Sequence, residues 1–367
     1  MRLSPFVGDI ALMERVERLK KAMRLSGHEG VLLNSPSNMF YVSGYTGEGL
    51  VLIGEGFCAI VTDFRYTEQA ESQAAGFAVE MTEKGKTHED IVNALCRRHG
   101  IDTLYYEDDT LTVRAFESCR AAIHGVEWKP VGGALEQLRE VKDAGELALI
   151  AHACKLTGDA FERVLPMIRE GVTEKEVALA LDFDMMSHGA SKPSFSTIVA
   201  AGANGSLPHA TPGEYKIRRG DMITMDFGAL YGGYCADMTR TVALGEPAAE
   251  MKRVYQVVLD AQKLSQDAVA AGKNTREIDA LARDYIARHG YEGRFGHGLG
   301  HSVGIDIHES PRLNQSSAST LKENQVVTVE PGIYLPGVGG VRIENTVVVK
   351  AGGCEPLTLP TLELMIL

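Results

Sequence analysis

The sequence predicts an α/β domain followed by an α+β domain, and three observations lead to this prediction. In the first third of the chain, short apolar runs alternate with stretches of helical periodicity. In the rest of the chain, long amphipathic stretches stand apart from two pairs of apolar runs with turn residues between them. Pro130, Gly132 and Gly133 separate the two patterns, so we expect the domain boundary close behind them.

The composition is that of an ordinary globular protein that is not built to bind polyanions. The chain has 367 residues, of which 44% are hydrophobic and 23% charged, and this is enough for a sizeable core and two domains. Its 37 basic and 49 acidic residues give a net charge of −12, whereas nucleic acids and anionic membranes attract basic proteins. We therefore expect neither nucleic acid nor a membrane among its partners.

The sequence also favours a cytoplasmic location. Charged residues interrupt residues 1–23 before an apolar run could form a signal core, and no stretch approaches the ~20 apolar residues of a membrane span. The six cysteines are dispersed without a CxxC spacing, which is typical of reduced proteins.

The first domain, predicted to span residues 1–134, alternates strands and helices. No glycine-rich phosphate loop follows its first strand. Strands are predicted at residues 31–34, 49–63 (two strands around a Gly-Glu-Gly turn), 77–81, 103–106 and 126–130. Helices are predicted at residues 13–26, 65–74, 88–98 and 112–122.

The second domain, predicted to span residues 135–367, opens with a long amphipathic stretch that continues to residue 168. The order helix, helix, hairpin then occurs twice in this half, which suggests a divergent internal duplication. Helices are predicted near residues 174–188, 248–271 and 275–289, and hairpins at residues 221–244 and 326–349.

The first predicted hairpin carries two carboxylates in apolar surroundings. Asp226 and Asp237 are equidistant from the centre between Tyr231 and Gly232, so they are predicted to lie directly across a β-ladder. Like charges in that position destabilise a sheet. One such pair can arise by chance or face solvent, so this pair alone does not define a site.

The second predicted hairpin repeats the arrangement. Glu330 and Glu344 are equidistant from Gly337, again within apolar strands. Two such pairs make coincidence much less attractive, and a buried carboxylate without a partner is costly. We therefore predict that positive charge, in the form of a pair of metal ions, lies between the carboxylates.

A glycine-rich segment between the hairpins adds three histidines. His297, His301 and His308 fall within GRFGHGLGHSVGIDIHESP, whose glycines permit close approach of the backbone. A single histidine is more often an ordinary core residue than a ligand. Three within a dozen positions favour a site instead.

The donor atoms constrain the metal. Four carboxylates and one histidine supply four negative charges, which two divalent cations neutralise. Oxygen-rich ligation favours Mn(II) and tolerates Co(II), Fe(II) or Zn(II), whereas a structural zinc site would use thiolates. Two such ions can activate a shared water and polarise a carbonyl, so we predict a hydrolase. The spacing does not name the bond that is cut.

Five motifs of the second domain together resemble those of the pita-bread metallopeptidases, a family that includes Xaa-Pro aminopeptidases, prolidases and methionine aminopeptidases. The motifs are ITMDFG, CADMTRT, HGLGHSVG, VTVEPGIY and VRIENT. The resemblance implies a dinuclear metal site with five ligands, all present here: Asp226, Asp237, His301, Glu330 and Glu344.

Two further motifs in the first domain resemble the creatinase-like N-terminal domain of the proline-specific branch. They are SPSNMFYVSGYTG (35–47) and TDFRYTEQA (62–70). Methionine aminopeptidases lack that domain, which counts against them. The resemblance implies that this domain mediates subunit contacts in a homodimer and roofs the active site.

The resemblance also implies three catalytic residues. His209, in GANGSLPHATPG, resembles the histidine that assists proton transfer and substrate binding. His308, in GIDIHE, resembles the histidine that stabilises the tetrahedral intermediate, and Glu330 resembles the glutamate that also shuttles a proton. His209 is alternatively an ordinary loop histidine.

Three more residues are implied to bind substrate or support the centre. His297 opens the HGLGH motif and is expected to contact substrate, and Tyr334 in EPGIY lies close to the ligands in sequence. Arg342 resembles an arginine that lies near the substrate carboxylate or orients the metal centre. A structural counter-ion to the acidic residues is an equally good interpretation of Arg342.

The function predicted from these residues is hydrolysis of the bond between an N-terminal residue and a following proline in short peptides. We predict an Xaa-Pro aminopeptidase, with an Xaa-Pro dipeptidase (prolidase) as the alternative. A dipeptidase closes its site behind the proline carboxylate, whereas an aminopeptidase leaves an exit, and loops or a neighbouring subunit decide between them.

Two other functions occur in this fold. A creatinase-like amidinohydrolase works without metal, and a non-catalytic module only binds peptides. Both have usually lost metal ligands, whereas this chain retains all five positions. Metal content separates both from a peptidase.

Overall fold

The structure is a computed structural model that describes residues 9–367. These residues form two units, one ending at Arg139 and the other beginning at Glu140. The predicted domain boundary between residues 134 and 135 stays a prediction. The charge pattern that argued against a signal core begins outside the described residues.

The first unit alternates strands and helices, as predicted. Its elements are α1 (Asp9–Met23), β1 (Glu29–Leu33), α2 (Pro36–Ser43), β2 (Leu50–Gly54), β3 (Cys58–Thr62), α3 (Thr67–Gln73), β4 (Ala78–Met81), α4 (His88–His99), β5 (Thr103–Tyr106), α5 (Val113–Ala122), β6 (Glu127–Pro130) and α6 (Ala134–Glu140).

The strands of the first unit form one six-stranded sheet in the order β4-β3-β2-β1-β5-β6. Strand β2 is antiparallel to its neighbours β1 and β3, and all other pairs are parallel. Strands buried on both faces have nearly continuous apolar sequences, and β3 is an example because its five residues are all buried. This is the predicted α/β domain.

Helix α2 is not among the predicted elements, although its ends carry clear signals. Ser35 caps the helix by accepting a hydrogen bond from the backbone N–H of Asn38, and Pro36 lies in the first turn. Gly44 ends the helix with a φ of 72°. The helix has eight residues, which is too short for helical periodicity to stand out.

The second unit contains two helix pairs, each followed by strands. Its elements are α7 (Ala144–Val164), α8 (Glu174–Ser187), β7 (Lys192–Pro193), β8 (Ile198–Ala201), β9 (Met222–Phe227), β10 (Ala229–Tyr231), β11 (Tyr234–Cys235), β12 (Met238–Ala243), α9 (Ala249–Asp267), α10 (Thr275–Ile286), β13 (Gly300–Ser302), β14 (Glu309–Leu313), β15 (Val326–Val329), β16 (Gly332–Leu335), β17 (Gly339–Arg342), β18 (Asn345–Lys350) and β19 (Gly353–Pro356).

Each helix pair of the second unit packs on its own strands. Helices α7 and α8 share a core with β8, β9 and β12, whereas α9 and α10 share a core with β15 to β18. The repeated order agrees with the internal duplication that the sequence suggests. The predicted amphipathic stretch is divided between α6 and α7, because Asp143 begins a new helix with a capping box to Glu146.

The register of the first hairpin differs from the prediction. Its ladder places Asp226 opposite Thr239, and its two-residue turn is formed by Gly232 and Gly233, both with positive φ. The predicted centre is therefore one residue too early. A two-residue turn of type I′ has positive φ at both central positions, and the two glycines adopt it without strain. Asp237 lies diagonally from Asp226 rather than opposite it, but an offset of two residues keeps both on one face.

The second hairpin has the predicted register. Strands β16 and β17 pair around Gly337, and β15 and β18 continue the same register with Val329 opposite Asn345. The interruption between the two ladders falls at Glu330 and Glu344, which are opposite each other in this register.

The structure also bears on the expectations about membrane spans and cysteines. Among the helices of the described residues, none combines the length and apolar character that a membrane span requires. All six cysteines are free thiols.

We expect Gly232→Ala to destabilise the second unit. Alanine is strained at the φ of 56°, and its Cβ would lie 2.8 Å from Cδ2 of Leu149. The expected loss is about 1–2 kcal/mol, which lowers the melting temperature by about 2–8 °C in calorimetry. Gly352→Ala is the control, because Gly352 lacks a positive φ and a Cβ there meets no atom within 4 Å. Equal melting temperatures for the two variants would contradict this account of the turn.

Candidate metal centre

Three carboxylates from the two hairpins meet in the second unit. Asp226 lies in β9, Asp237 immediately precedes β12, and Glu344 lies between β17 and β18. One oxygen atom from each lies within 4.8 Å of the other two. The backbone N–H of Glu344 donates to the carbonyl oxygen of Thr239 at 3.1 Å, which joins the two hairpins at this point.

Two of these carboxylates have one oxygen held and the other without a partner. Nη2 of Arg342 donates to Oδ2 of Asp226 at 2.6 Å, and Oγ1 of Thr239 donates to Oε2 of Glu344 at 2.7 Å. Oδ1 of Asp226 and Oε1 of Glu344 are buried without a hydrogen-bond partner among the described residues. A buried acceptor without a donor is costly, and a cation satisfies both atoms. The side chains present therefore fit a divalent metal ion.

His301 and Glu330 extend the cluster. Nε2 of His301 lies 3.3 Å from Oε1 of Glu330 and 3.5 Å from Oδ2 of Asp237. Its other ring nitrogen, Nδ1, lies 3.2 Å from the carbonyl oxygen of Ser302 and can donate to it. Histidines that bind metals generally make such a second contact, which leaves Nε2 for the ion. All five predicted ligands converge here, while their role as ligands stays a prediction.

The electrostatics of the cluster differ between its members. Burial, followed by the charges of Glu344 and Asp226, raises the pKa of Asp237 well above its usual range. Burial and the charge of Glu330 raise the pKa of Glu344 in the same way. Burial also acts to raise the pKa of Glu330, but the hydrogen bond and charge of His301 outweigh it and lower this pKa to about 2. Positive charge near the cluster therefore favours its ionised form.

Three of the predicted residues form a hydrogen-bonded chain that ends at the cluster. Arg342, which is 4% exposed, donates from Nη1 to the Tyr334 hydroxyl at 2.8 Å. That hydroxyl lies 2.8 Å from Nε2 of His297, whose Nδ1 lies 2.8 Å from the carbonyl oxygen of Gly298. Since a carbonyl only accepts, Nδ1 carries the proton and Nε2 accepts from Tyr334. Both nitrogens of His297 are thus engaged, which leaves its carbon edge for contact with a substrate.

A cavity of about 570 Å³ opens beside the cluster. Every predicted site residue except Tyr334 is among the described residues that line it. His209 and His308 are exposed in it, and the ring of His308 meets the ring of His301 edge-on, with 4.5 Å between their centroids. Partial desolvation of the ring in the cavity, followed by the charge of the neighbouring His301, lowers the pKa of His308.

Thr239, Thr328, Arg312 and Asn314 are among the residues of the site that the sequence did not predict. Thr239 lies two positions after Asp237, and Thr328 lies two positions before Glu330, to which it donates at 3.1 Å. The alternation of side chains along a strand could have identified both threonines. Arg312 lines the cavity from strand β14, and Asn314 lines it directly after the end of that strand. No signal in the sequence identifies these two residues.

Comparison with protein families covers both units. Residues 148–351 match the model of metallopeptidase family M24, and residues 15–141 match the model of the creatinase/prolidase N-terminal domain.

Similar proteins match over nearly their whole length. The chain is 35% identical to an Xaa-Pro dipeptidase of Pyrococcus furiosus, over 96% of this chain and 100% of that protein. A solved structure of an Xaa-Pro dipeptidase from Bacillus anthracis matches with a TM-score of 0.93 and 42% identity, over 97% of this chain and 100% of that one. A structure of an X-Pro aminopeptidase from Thermotoga maritima matches with a TM-score of 0.89 and 37% identity, over 95% and 100%. The chain belongs to metallopeptidase family M24 and combines a creatinase/prolidase N-terminal domain with a pita-bread catalytic domain.

Proposed function

We propose that this metallopeptidase is an Xaa-Pro dipeptidase. The support comes from the relatives of that name, which match at 35% and 42% identity over nearly the whole chain. The sequence analysis placed the aminopeptidase first, and these relatives reverse that order. The aminopeptidase remains the second candidate because of the similarity to the Thermotoga maritima structure.

The observation that carries the metal-dependent part of the proposal is the cluster of carboxylates in which two buried oxygens lack hydrogen-bond partners among the described residues. We propose that Asp226, Asp237, His301, Glu330 and Glu344 hold two divalent metal ions. Four carboxylates favour Mn(II), and Co(II), Fe(II) or Zn(II) are also compatible with this donor set. When bound, the ions would supply an activated water and polarise the scissile carbonyl.

The protein's own residues supply proton transfer and charge stabilisation. Glu330 is held ionised because the hydrogen bond and charge of His301 lower its pKa to about 2. Its role in moving a proton to the leaving proline nitrogen is the one that the resemblance to the family implies, and we propose it on that ground. His308 stays neutral at pH 7 because its pKa is lowered, and its N–H can donate to the oxyanion as that charge develops. His209, exposed in the same cavity, is placed to assist proton transfer or to contact the substrate.

Arg342 and Tyr334 serve the centre by holding it in place. Arg342 binds Asp226 and Tyr334 at 2.6 and 2.8 Å, so its guanidinium is already engaged with protein groups. Of the interpretations that the sequence left open, these contacts favour orientation of the metal centre or a counter-ion to it over binding of the substrate carboxylate. His297, at the end of the same chain of hydrogen bonds, then acts mainly by fixing the glycine-rich segment.

A dipeptide substrate also needs a partner for its free carboxylate. Besides Arg342, Arg312 is the arginine among the described residues that line the cavity. Its side chain is exposed and makes no ion pair with the described residues. We assign the proline carboxylate to Arg312, since arginine is suited to bind a carboxylate through two N–H groups.

The homodimer and the cytoplasmic location stay expectations from the sequence. Free cysteines agree with a reducing compartment. Subunit contacts made by the N-terminal domain remain part of the resemblance to the family, and sedimentation of the purified protein would test them.

We expect Asp237→Ala to lose metal and activity together, because it removes one member of the three-carboxylate cluster. Metal analysis should give fewer than two ions per chain, and Ala-Pro hydrolysis should fall below detection. Chelation should lower the melting temperature of the wild type more than that of this variant, since bound ligand stabilises the folded state. Asp260→Asn on α9 is the control and should match the wild type. Wild-type turnover by Asp237→Ala in the presence of excess metal would refute the assignment of Asp237 as an essential metal ligand.

Substrate length separates the two candidate functions. After dialysis against chelator and addition of Mn(II), the wild type should cleave Ala-Pro and leave Ala-Pro-Ala intact. Product formation from each peptide is followed by chromatography. Cleavage of both peptides would establish the aminopeptidase instead, and metal-bound protein that cleaves neither would refute specificity for proline.

We expect Arg312→Gln to weaken binding of Ala-Pro. Loss of a charged hydrogen-bond donor costs about 1.5–3 kcal/mol, which raises KM roughly 10- to 100-fold while kcat changes little. The amide of Ala-Pro, which lacks the carboxylate, should be cleaved equally by the variant and the wild type. Arg294→Gln, at another exposed arginine, is the control. An unchanged KM for Ala-Pro would exclude Arg312 as the carboxylate partner.

A further inference from the structure

The loop between β13 and β14 determines where His308 lies in the cavity. The two strands pair His301 with Arg312 but Ser302 with Glu309, so the register shifts at the base of the loop. His308 therefore stands at the end of an irregular turn rather than within a regular ladder. Something other than strand pairing must hold this turn in one conformation.

The side chain of Glu309 folds back into this loop. Its Oε1 accepts a hydrogen bond from the backbone N–H of Asp306 at 3.1 Å. Its carboxylate also lies so close to Gly304 that a Cβ at that position would collide with it. The side chain is only 7% exposed, so the carboxylate is buried inside the turn that it braces.

Lys142 supplies the counter-charge from a distant part of the second unit. Its Nζ lies 3.0 Å from Oε2 of Glu309 and donates to Oγ of Ser302 at 3.1 Å, and its side chain is 1% exposed. Ser302 in turn donates to the carbonyl oxygen of Val326 at 2.8 Å. The backbone N–H of Lys142 donates to Asn324 at 3.0 Å, so the lysine itself is held in place.

The loop is held on its other side by the first hairpin. The backbone N–H of Cys235 donates to the carbonyl oxygen of Gly304 at 2.8 Å, and its Sγ donates to that of Ile305 at 3.3 Å. Cys235 lies two residues before Asp237 in the sequence. The loop is thus fixed between the strand leading to a predicted ligand and the buried lysine.

A buried ion pair of this kind is a poor source of net stability. Desolvation of both charges offsets their attraction, and an apolar pair of similar size is often equally stable. What the pair does provide is a fixed direction for the groups it joins, because each charge must face the other. A fixed direction is useful here because the conformation of the loop determines where the ring of His308 lies in the cavity.

We propose that Lys142 is a positioning residue that acts through Glu309 to hold His308 against the substrate carbonyl. The role of His308 rests on the proposed function, whereas the contacts that fix its loop do not. Neither Lys142 nor Glu309 is among the described residues that line the cavity, so both act without touching the substrate.

The test compares Lys142→Met with the double variant Lys142→Met/Glu309→Leu. The single variant removes the positive charge that lies 3.0 Å from the buried Glu309 carboxylate, so it is expected to lower the melting temperature. The double variant removes both charges and should regain the melting temperature, but its kcat for Ala-Pro should stay about 10- to 100-fold low. KM and metal content should match the wild type in the double variant. Recovery of both the melting temperature and kcat would overturn the proposal.

Lys322→Met is the control, at an exposed lysine that also pairs with a glutamate. Nζ of Lys322 lies 3.0 Å from Oε2 of Glu140, so this pair also ties the start of the second unit to the segment before β15. It has no contact with the loop of His308 among the described residues. Its kcat should equal that of the wild type, and a loss as large as in the double variant would also overturn the proposal.

Nuclear magnetic resonance of the histidine rings tests, independently of activity, whether Lys142 positions the ring of His308. In Zn(II)-loaded protein, the ring signal of His308 is assigned by its absence in His308→Gln. We expect this signal to shift or broaden in Lys142→Met and in the double variant, and to stay in place in Lys322→Met. An unmoved signal in the first two variants refutes positioning by Lys142. If the wild type fails to cleave Ala-Pro, the proposed function fails, and the ring signals still test the positioning of His308.

Discussion

The mutual repulsion of buried carboxylates is the constraint on which the catalytic domain depends. Asp226, Asp237 and Glu344 present oxygens within 4.8 Å of one another, and the largely buried position of these side chains weakens screening by water. Folding brings these groups together only because other contacts in the domain outweigh the repulsion. The result is a site with a strong preference for divalent cations, which is the chemical basis of a metallopeptidase.

The neighbours of the cluster orient the carboxylates but leave most of their negative charge without a counter-charge. Arg342 contributes one positive charge and Thr239 a neutral donor, and each holds a single oxygen of its carboxylate. The second oxygen of Asp226 and of Glu344 has no hydrogen-bond partner among the described residues, which is why we propose that a metal ion binds there. Had more arginines or lysines surrounded the cluster, ion pairs would have satisfied these oxygens and weakened metal binding.

Two hairpins deliver these groups, and their turns set the geometry. The turn at Gly232 and Gly233 places Asp237 diagonally from Asp226, whereas the turn around Gly337 places Glu344 opposite Glu330. The centre of the first turn lies one residue after the midpoint between Asp226 and Asp237, and this shift makes their relation diagonal. Such a change alters which side chains face each other along an entire ladder.

The sequence by itself determined the two-domain α/β and α+β order, the two hairpins and the identity of the residues that converge on the centre. These features depend on local periodicity and on side-chain chemistry, and both can be recognised within short segments of the sequence. Only the tertiary structure decided the register of the first hairpin, the engagement of Arg342 with Asp226, and the places of Arg312 and Lys142. Lys142 and Glu309 are 167 positions apart, and a contact at that separation leaves no periodic pattern in the sequence. It arises only when packing of the whole domain brings the two segments together.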